Sequence, residues 1–195
     1  MSGPARLLLA STSPYRRELL SRLRVPFETI APHTDETPLA GESPDVLALR
    51  LAQLKARSVH ATWPDRLIIG SDQVAVVDRT ILGKPGTHAR ATEQLALMRA
   101  RVVRFHTGLC VLNSHTAREQ TALVTINVQM RNYSDAQIER YLRADEPYDC
   151  AGSARIEGLG ISLVERLDGE DPTALIGLPL IALCRMLRDE GIDLP

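Results

Sequence analysis

Asp72 stands in "IIGSDQV", an acid at the end or edge of a strongly apolar stretch. A carboxylate beside a buried strand is costly unless it is paired, and binding a metal is one way to pair it. An Asp that caps a turn is the competing reading. "TDE" supplies two more acids, Asp35 and Glu36, in a Thr-, Pro- and Gly-rich loop. Solvated loop acids are the alternative there, and Asp35 suits that alternative better than Glu36. Cations complete the set. Arg16 and Arg17 follow "SP", Lys55 lies in "QLKAR", and Lys84 lies in "GKP", where glycine and proline fix a tight backbone around one ammonium group. A solvated helix face is the competing reading of Lys55. Together these residues offer carboxylates for a divalent cation and positive charges for phosphates, the constellation of metal-assisted phosphoryl hydrolysis.

The arginines are the most informative of these residues. Ser13 suits a helix N-cap and Pro14 its first turn. The positive end of the helix dipole lies there, so acids are favoured and cations are not. Two later helices in the same chain keep the rule: Ser43-Pro44 is followed by Asp45, and Ser134 by Asp135. Only the first helix places Arg16 and Arg17 in that position. Free backbone N–H groups at a helix start already bind anions, and two guanidiniums beside them fit a docking phosphate chain. Two solvated arginines are the alternative.

The elements that must position these groups follow from periodicity. "RLLLA" (6–10) is predicted as a buried strand, leading into a helix that runs to about Arg24, and "FETIAP" (27–32) as a second strand. Leu47, Leu51 and Leu54 recur at helical spacing after Ser43. Residues 65–77 are predicted as a strand with Asp72 in it, "DRT" as a turn before "ILGKPG", and 89–100 as a helix. Strands at 105–113 and 121–130 are joined by a polar turn near Ser114. Then come a helix at 134–143, a late strand at 161–170, and a closing helix stopped by Gly191. Glycines clustered at 152–160 and at 177 mark functional loops or a hinge. This mixture of strands and helices is α/β or α+β.

Composition narrows the function classes. The chain has 195 residues, enough for one α/β domain or two small packed lobes. Its formal net charge is -1, which argues against a general binder of nucleic-acid polymers or membrane surfaces. Cys110, Cys150 and Cys184 are far apart and form no CxxC pair, as expected of buried thiols in a reduced, cytoplasmic setting. "LLLA" is too short for the core of a signal peptide, and no stretch reaches transmembrane length. There is no GxxxxGK[ST] loop, no GxGxxG after a strand, no HExxH, and Ser71 is not in a GxSxG elbow.

"LLLASTSPYRRELL", "TDE", "RLAQLKA", "GSDQVAVV", "LGKP", "DEPYDCAGS", "EGLGI" and "GLPL" resemble, in order and over nearly the whole chain, the Maf family of nucleoside triphosphate pyrophosphatases. The resemblance implies a single unit over 1–195 with a Maf/ITPase-like α/β fold: a mixed sheet with flanking helices, and two lobes around a central nucleotide-binding cleft. It implies cleavage of a nucleoside triphosphate to the monophosphate and diphosphate with a divalent cation, Mg²⁺ or Mn²⁺. By motif, Asp72 would accept the proton of the attacking water. Ser11, Arg16, Arg17, Lys55 and Lys84 would hold the phosphates, and Glu36 and Asp72 the metal. A homodimer is compatible with this reading.

Three positions depart from the commonest family pattern: Tyr15 in "SPYRR", Gln73 in "SDQ" and Glu157 in "RIEG". They are similar to the subgroup of 7-methyl-GTP pyrophosphatases. The physics agrees. A 7-methylguanine base is cationic, an aromatic face such as Tyr15 attracts cations, and a carboxylate such as Glu157 accepts hydrogen bonds from the guanine edge. Gln73 would add one amide contact. Glu157 paired with Arg155 is the alternative for that residue. The competing functions are the same chemistry on other canonical or damaged triphosphates, and a nucleotide-binding regulator of cell division without turnover.

Overall fold

The computed structural model describes residues 7–195. Arg6, the first residue of the predicted N-terminal strand, lies outside them. The strand β1 (Leu7–Ala10) is buried on both faces, as parallel strands are: Leu7 and Leu9 enter one apolar cluster, Leu8 and Ala10 another. It lies between β2 (Phe27–Ile30) and β3 (Leu67–Val77), parallel to both. From β3 the sheet continues antiparallel through β5 (Val102–Asn113), β6 (Arg118–Met130) and β7 (Val164–Asp168). The order is β2-β1-β3-β5-β6-β7, with β4 (Thr80–Leu82) paired to the far end of β3. This is the expected α/β architecture with a mixed sheet.

Helices cover both faces. Helix α1 (Pro14–Ser21) and the closing helix α5 (Leu180–Asp189) bury leucines with Leu7, Leu9, Leu67 and Ile69. Helix α2 (Pro44–His60) covers the opposite face. Helices α3 (His88–Met98) and α4 (Asp135–Asp145) enclose a third cluster with Ala75, Val77, Phe105 and Val128.

Helix α2 lies unusually close to the sheet. Ala48, Ala52 and Ala56, four residues apart, form a smooth stripe facing β3 and β5. A Cβ at Gly70 would stand 2.1 Å from the Ala52 carbonyl oxygen, and one at Gly108 would stand 2.3 Å from that of Ala48. Only glycine on the strands and alanine on the helix permit this approach.

Several boundaries differ from the sequence expectation. Helix α1 stops at Ser21, short of Arg24, because its end tightens into three-residue turns, Arg22 N–H to Leu19 O through Arg24 N–H to Ser21 O. Asp78 and Arg79 do form a turn, but Thr80 begins β4, paired with Val77. A strand this short shows no alternation in sequence. Strands β5 and β6 both begin earlier than Phe105 and Thr121, paired Val102 with Gln129 and Asn113 with Arg118. The late strand shrinks to Val164–Asp168, because Leu159–Leu163 coils into a 3-10 turn. Among the described residues no helix is long and apolar enough to cross a membrane.

The contact at Gly70 gives the first prediction. Gly70→Ala should cost roughly 2–3 kcal/mol, the scale of overpacking a rigid core, because the obstructing atom is backbone. Gly83→Ala, which would meet nothing within 4 Å, is the control. Urea midpoints measure both, and equal shifts would show that α2 yields freely.

Candidate active site

Strand β1 ends at Ala10, opposite Gly70, and β3 regains a neighbour on that side only at Ala75, where β4 joins it. The gap opens a crevice at the carboxyl end of β1, the usual ligand position in open α/β sheets. The chain crosses it as Ser11-Thr12-Ser13 and enters α1. The Ser13 hydroxyl oxygen caps α1 by accepting from Arg16 N–H at 3.4 Å, and Ser13 N–H donates to Ser11 Oγ at 3.1 Å. A cavity of about 540 Å³ occupies the crevice. Ser11, Tyr15, Arg16, Glu36, Lys55, Asp72, Gln73, Lys84 and Glu157 all line it. Nine of the ten predicted site residues are thus brought together; the tenth is Arg17.

Asp72 lies mid-strand in β3, not at its end, in the stretch where β3 has lost β1 and not yet gained β4. The alternation of β3 decides what it meets. Ile68, Gly70, Asp72 and Val74 share the α2 face, whereas Ile69, Ser71 and Gln73 point the other way. Because α2 lies so close at Gly70, its Lys55 reaches Asp72. Lys55 Nζ stands 2.6 Å from Asp72 Oδ1 and 2.8 Å from Glu36 Oε1. Both Lys55 and Asp72 are buried. Lys55 therefore spends two of its three N–H groups on carboxylates and keeps one for another acceptor. Asp35 does not join them. It accepts from Thr37 N–H at 2.9 Å, is exposed, and that hydrogen bonding holds its carboxyl below the usual range.

Arg16 and Arg17 part company. Arg16 Nε donates to the Gly177 carbonyl at 2.8 Å and Nη1 to Ser11 Oγ at 3.5 Å. Burial pulls its guanidinium below the ordinary value, against the charges of Asp72 and Glu36. Arg17, one residue and about 100° further round the helix, is exposed and lines an adjoining hollow with Thr29 and Ile30, on the other side of Ser11–Pro14. It does not line the crevice. Lys84 does, on an exposed loop whose Gly83 carbonyl accepts from Gln94 Nε2 at 3.0 Å.

A second group of side chains lines the same cavity. The Tyr15 hydroxyl donates to the Asp149 carboxylate at 3.3–3.4 Å and lies 3.7 Å from Cys150 Sγ. Desolvation, helped by Cys150, pushes the Tyr15 phenol up to about 12. Desolvation also raises the Glu157 carboxyl above its ordinary value, with Arg155 opposing. Arg155 is ion-paired with Asp145. Of the three cysteines only Cys110 is fully buried; Cys150 and Cys184 are half-buried.

Gln73 differs from expectation. Its amide nitrogen donates to Ala174 O at 2.8 Å and Leu175 O at 3.0 Å and stands 3.1 Å from Thr107 Oγ1. The amino group is spent on protein, and only the carbonyl oxygen is left for a base. Sequence reasoning missed Ser71, Thr107, Asp149 and the Gly177 carbonyl. Asp149, in the quoted "DEPYDCAGS", could have been found as an acid beside a marked cysteine. A backbone carbonyl carries no signal by residue type.

With this geometry in hand the comparisons are decisive. Residues 6–190 match the family described as Maf-like protein. The chain belongs to the Maf family. Among its relatives, proteins named 7-methyl-GTP pyrophosphatase are 58% identical in Cupriavidus metallidurans, over 95% of this chain and 93% of the relative. In Thiobacillus denitrificans the figures are 57%, 96% and 93%. In Methylobacillus flagellatus they are 56%, 96% and 97%. The Maf resemblance read from the motifs is therefore established at the level of the family.

The buried pair in this Maf protein makes a stability prediction. Lys55→Met leaves Asp72 buried without its ammonium partner, which should cost about 3 kcal/mol. Adding Asp72→Asn removes the stranded charge and should restore much of that loss. Urea denaturation of the two single variants and the double variant measures it, and strictly additive losses would show that the pair is not coupled.

Proposed function

We propose that this protein is a nucleoside triphosphate pyrophosphatase that hydrolyses 7-methyl-GTP to 7-methyl-GMP and diphosphate. One observation carries the reading. A single cavity joins a helix N-terminus, Arg16, Lys55 and Lys84 to a buried carboxylate, Asp72, to a tyrosine hydrogen-bonded to Asp149, and to a further acid, Glu157. The names of the relatives point the same way.

The triphosphate takes the cationic part. Ser11, Arg16, the remaining N–H of Lys55, and Lys84 bind its oxygens, with the positive end of the α1 dipole beside them. Arg17, facing elsewhere, has no direct part. Lys55 engages Asp72 through Oδ1. The second oxygen, Oδ2, accepts the proton of the water that adds across the α–β phosphoanhydride. The bond between the bridging oxygen and phosphorus breaks, and diphosphate leaves. Glu36 and Asp72, which share the Lys55 ammonium, would supply carboxylate oxygens to a divalent cation. Among the described residues no group of three or more His, Cys, Asp or Glu gathers as a metal cluster. Two hard carboxylates completed by water and phosphate oxygens suit Mg²⁺, which is usually bound through one or two carboxylates and substrate phosphates. When bound, the cation would neutralise phosphate charge. The substrate is a free nucleotide rather than a polymer, and the protein works in the cytoplasm.

At the other part, Tyr15 stacks on the cationic base and Glu157 accepts from its N1–H and amino group. Neutral guanine forgoes the charge term.

Three measurements test this. Asp72→Asn should lower kcat by about a hundredfold or more, the scale of general-base loss. A folded variant with near-normal turnover would remove Asp72 from the chemistry. Wild type should prefer 7-methyl-GTP to GTP in kcat/KM, and a ratio near one would defeat the substrate assignment. Glu157→Gln should shrink that ratio about tenfold or more, since a charged hydrogen bond contributes about 1.5–3 kcal/mol. The raised Glu157 carboxyl fixes the sign of the pH effect. Its useful form is the carboxylate, so the preference should fade as pH drops, beginning above the ordinary glutamate value of 4.5. In Glu157→Gln the ratio should lose that pH dependence.

A further inference from the structure

Ser71 is fully buried beside Asp72 and has no part in the chemistry described. On the opposite face of β3 from Asp72, its hydroxyl lies 2.8 Å from Gly108 O and 2.9 Å from Gly177 O. The Gly177 carbonyl is also the acceptor for Arg16 Nε at 2.8 Å. The one hydroxyl proton is shared between the two carbonyls, and through the Gly177 arm a hydrogen-bonded path runs from the residue next to Asp72 to the Arg16 guanidinium.

The surrounding loop is built to hold that carbonyl still. Pro172–Ile176 is a 3-10 turn, and Gly177 closes it with φ 114°, a conformation that favours glycine. A Cβ at Gly177 would stand 3.3 Å from Arg16 Nε. The turn is gripped from the sheet. Gln73 Nε2 donates to Ala174 O and Leu175 O, and Thr107 Oγ1 donates to Ala174 O at 2.8 Å. Asp171 caps its other end, accepting from Thr173 N–H at 3.0 Å and Ile181 N–H at 2.8 Å. The residues on either side of Asp72 therefore both point at the loop that aims Arg16.

We infer that Ser71, with Gln73, is a positioning residue: it fixes the Gly177 carbonyl and through it sets Arg16 against the triphosphate. In this account Gln73 acts through the loop's backbone and not through an amino-group contact with the base. The inference rests on the reading that Arg16 binds phosphate.

A double-mutant cycle on the full-length protein tests it, with KM and kcat for 7-methyl-GTP as readouts. Ser71→Ala should raise KM about fivefold, the scale of one neutral hydrogen bond, and leave kcat within about twofold. In an Arg16→Ala background the same change should leave KM where Arg16→Ala alone puts it. Loss of fold stability alone would lower the melting temperature without that dependence on Arg16. An unchanged KM in Ser71→Ala, or an equal rise with and without Arg16, overturns the inference. The second outcome would mean that the hydroxyl serves Gly108 alone. If Arg16→Ala itself leaves KM unchanged, phosphate binding by Arg16 fails, and the inference with it. Should Ser71→Ala not fold, Ser71→Cys, which keeps the size and a weaker donor, should raise KM by a smaller factor in the wild-type background only. A Cys variant with wild-type KM overturns the proposal.

Discussion

The closeness of α2 to the sheet governs the rest of the molecule. With the Ala52 carbonyl where a Cβ of residue 70 would be, the helix and β3 cannot separate or slide without losing tight packing. That contact lies one turn of helix from Lys55 and two strand residues from Asp72, so it places the ammonium against the carboxylate. Burying both ions is unfavourable in itself, and the pair is tolerable because its geometry is close and Glu36 supplies a second partner.

The two cations of the crevice floor are held by different means, and the difference bears on their use. Lys55 is compensated by two carboxylates. Arg16 is held by a backbone carbonyl and a serine hydroxyl, partners that orient a guanidinium and carry no formal charge. Its positive charge therefore remains available to a ligand. It sits at the end of α1 where the dipole repels it and where the first turn contains no acid. In the proposed function this unfavourable arrangement becomes favourable when a polyanion arrives, and that would account for the placement of Arg16.

Much of this was legible in the sequence because it is local. Ser13 as cap, Pro14 in the first turn, and the missing acid are properties of four or five consecutive residues. The periodicity of α2 and the apolar run of β3 are equally local. What was hidden is of three kinds. Arg17 is hidden because one step along a helix turns a side chain through about 100°, and periodicity on a helix this short does not say which of two adjacent arginines faces the crevice. The Lys55–Asp72 pair depends on which face of β3 carries Asp72, a matter of tertiary packing. Gln73 was read as a ligand contact because it departs from the common family pattern together with Tyr15 and Glu157. Its partners are backbone carbonyls a hundred residues away in the chain, where residue type says nothing.

Charge in the cavity is divided. Arg16, Lys55, Asp72 and Glu36 interact with one another, while Tyr15, Asp149, Cys150, Glu157 and Arg155 form a separate set. Arg155 is neutralised by Asp145, so the second set presents mainly Asp149 and Glu157 to a ligand. In the proposed function the anionic tail of the nucleotide takes the end that carries the cations, and its cationic base takes the end that presents acids without a free cation. A nucleotide with a neutral base keeps the attraction at its tail and loses it at the other end. In the proposed function phosphate binding and base choice draw on different side chains, so substitutions at Tyr15 or Glu157 would alter preference while the groups around Asp72 keep their geometry.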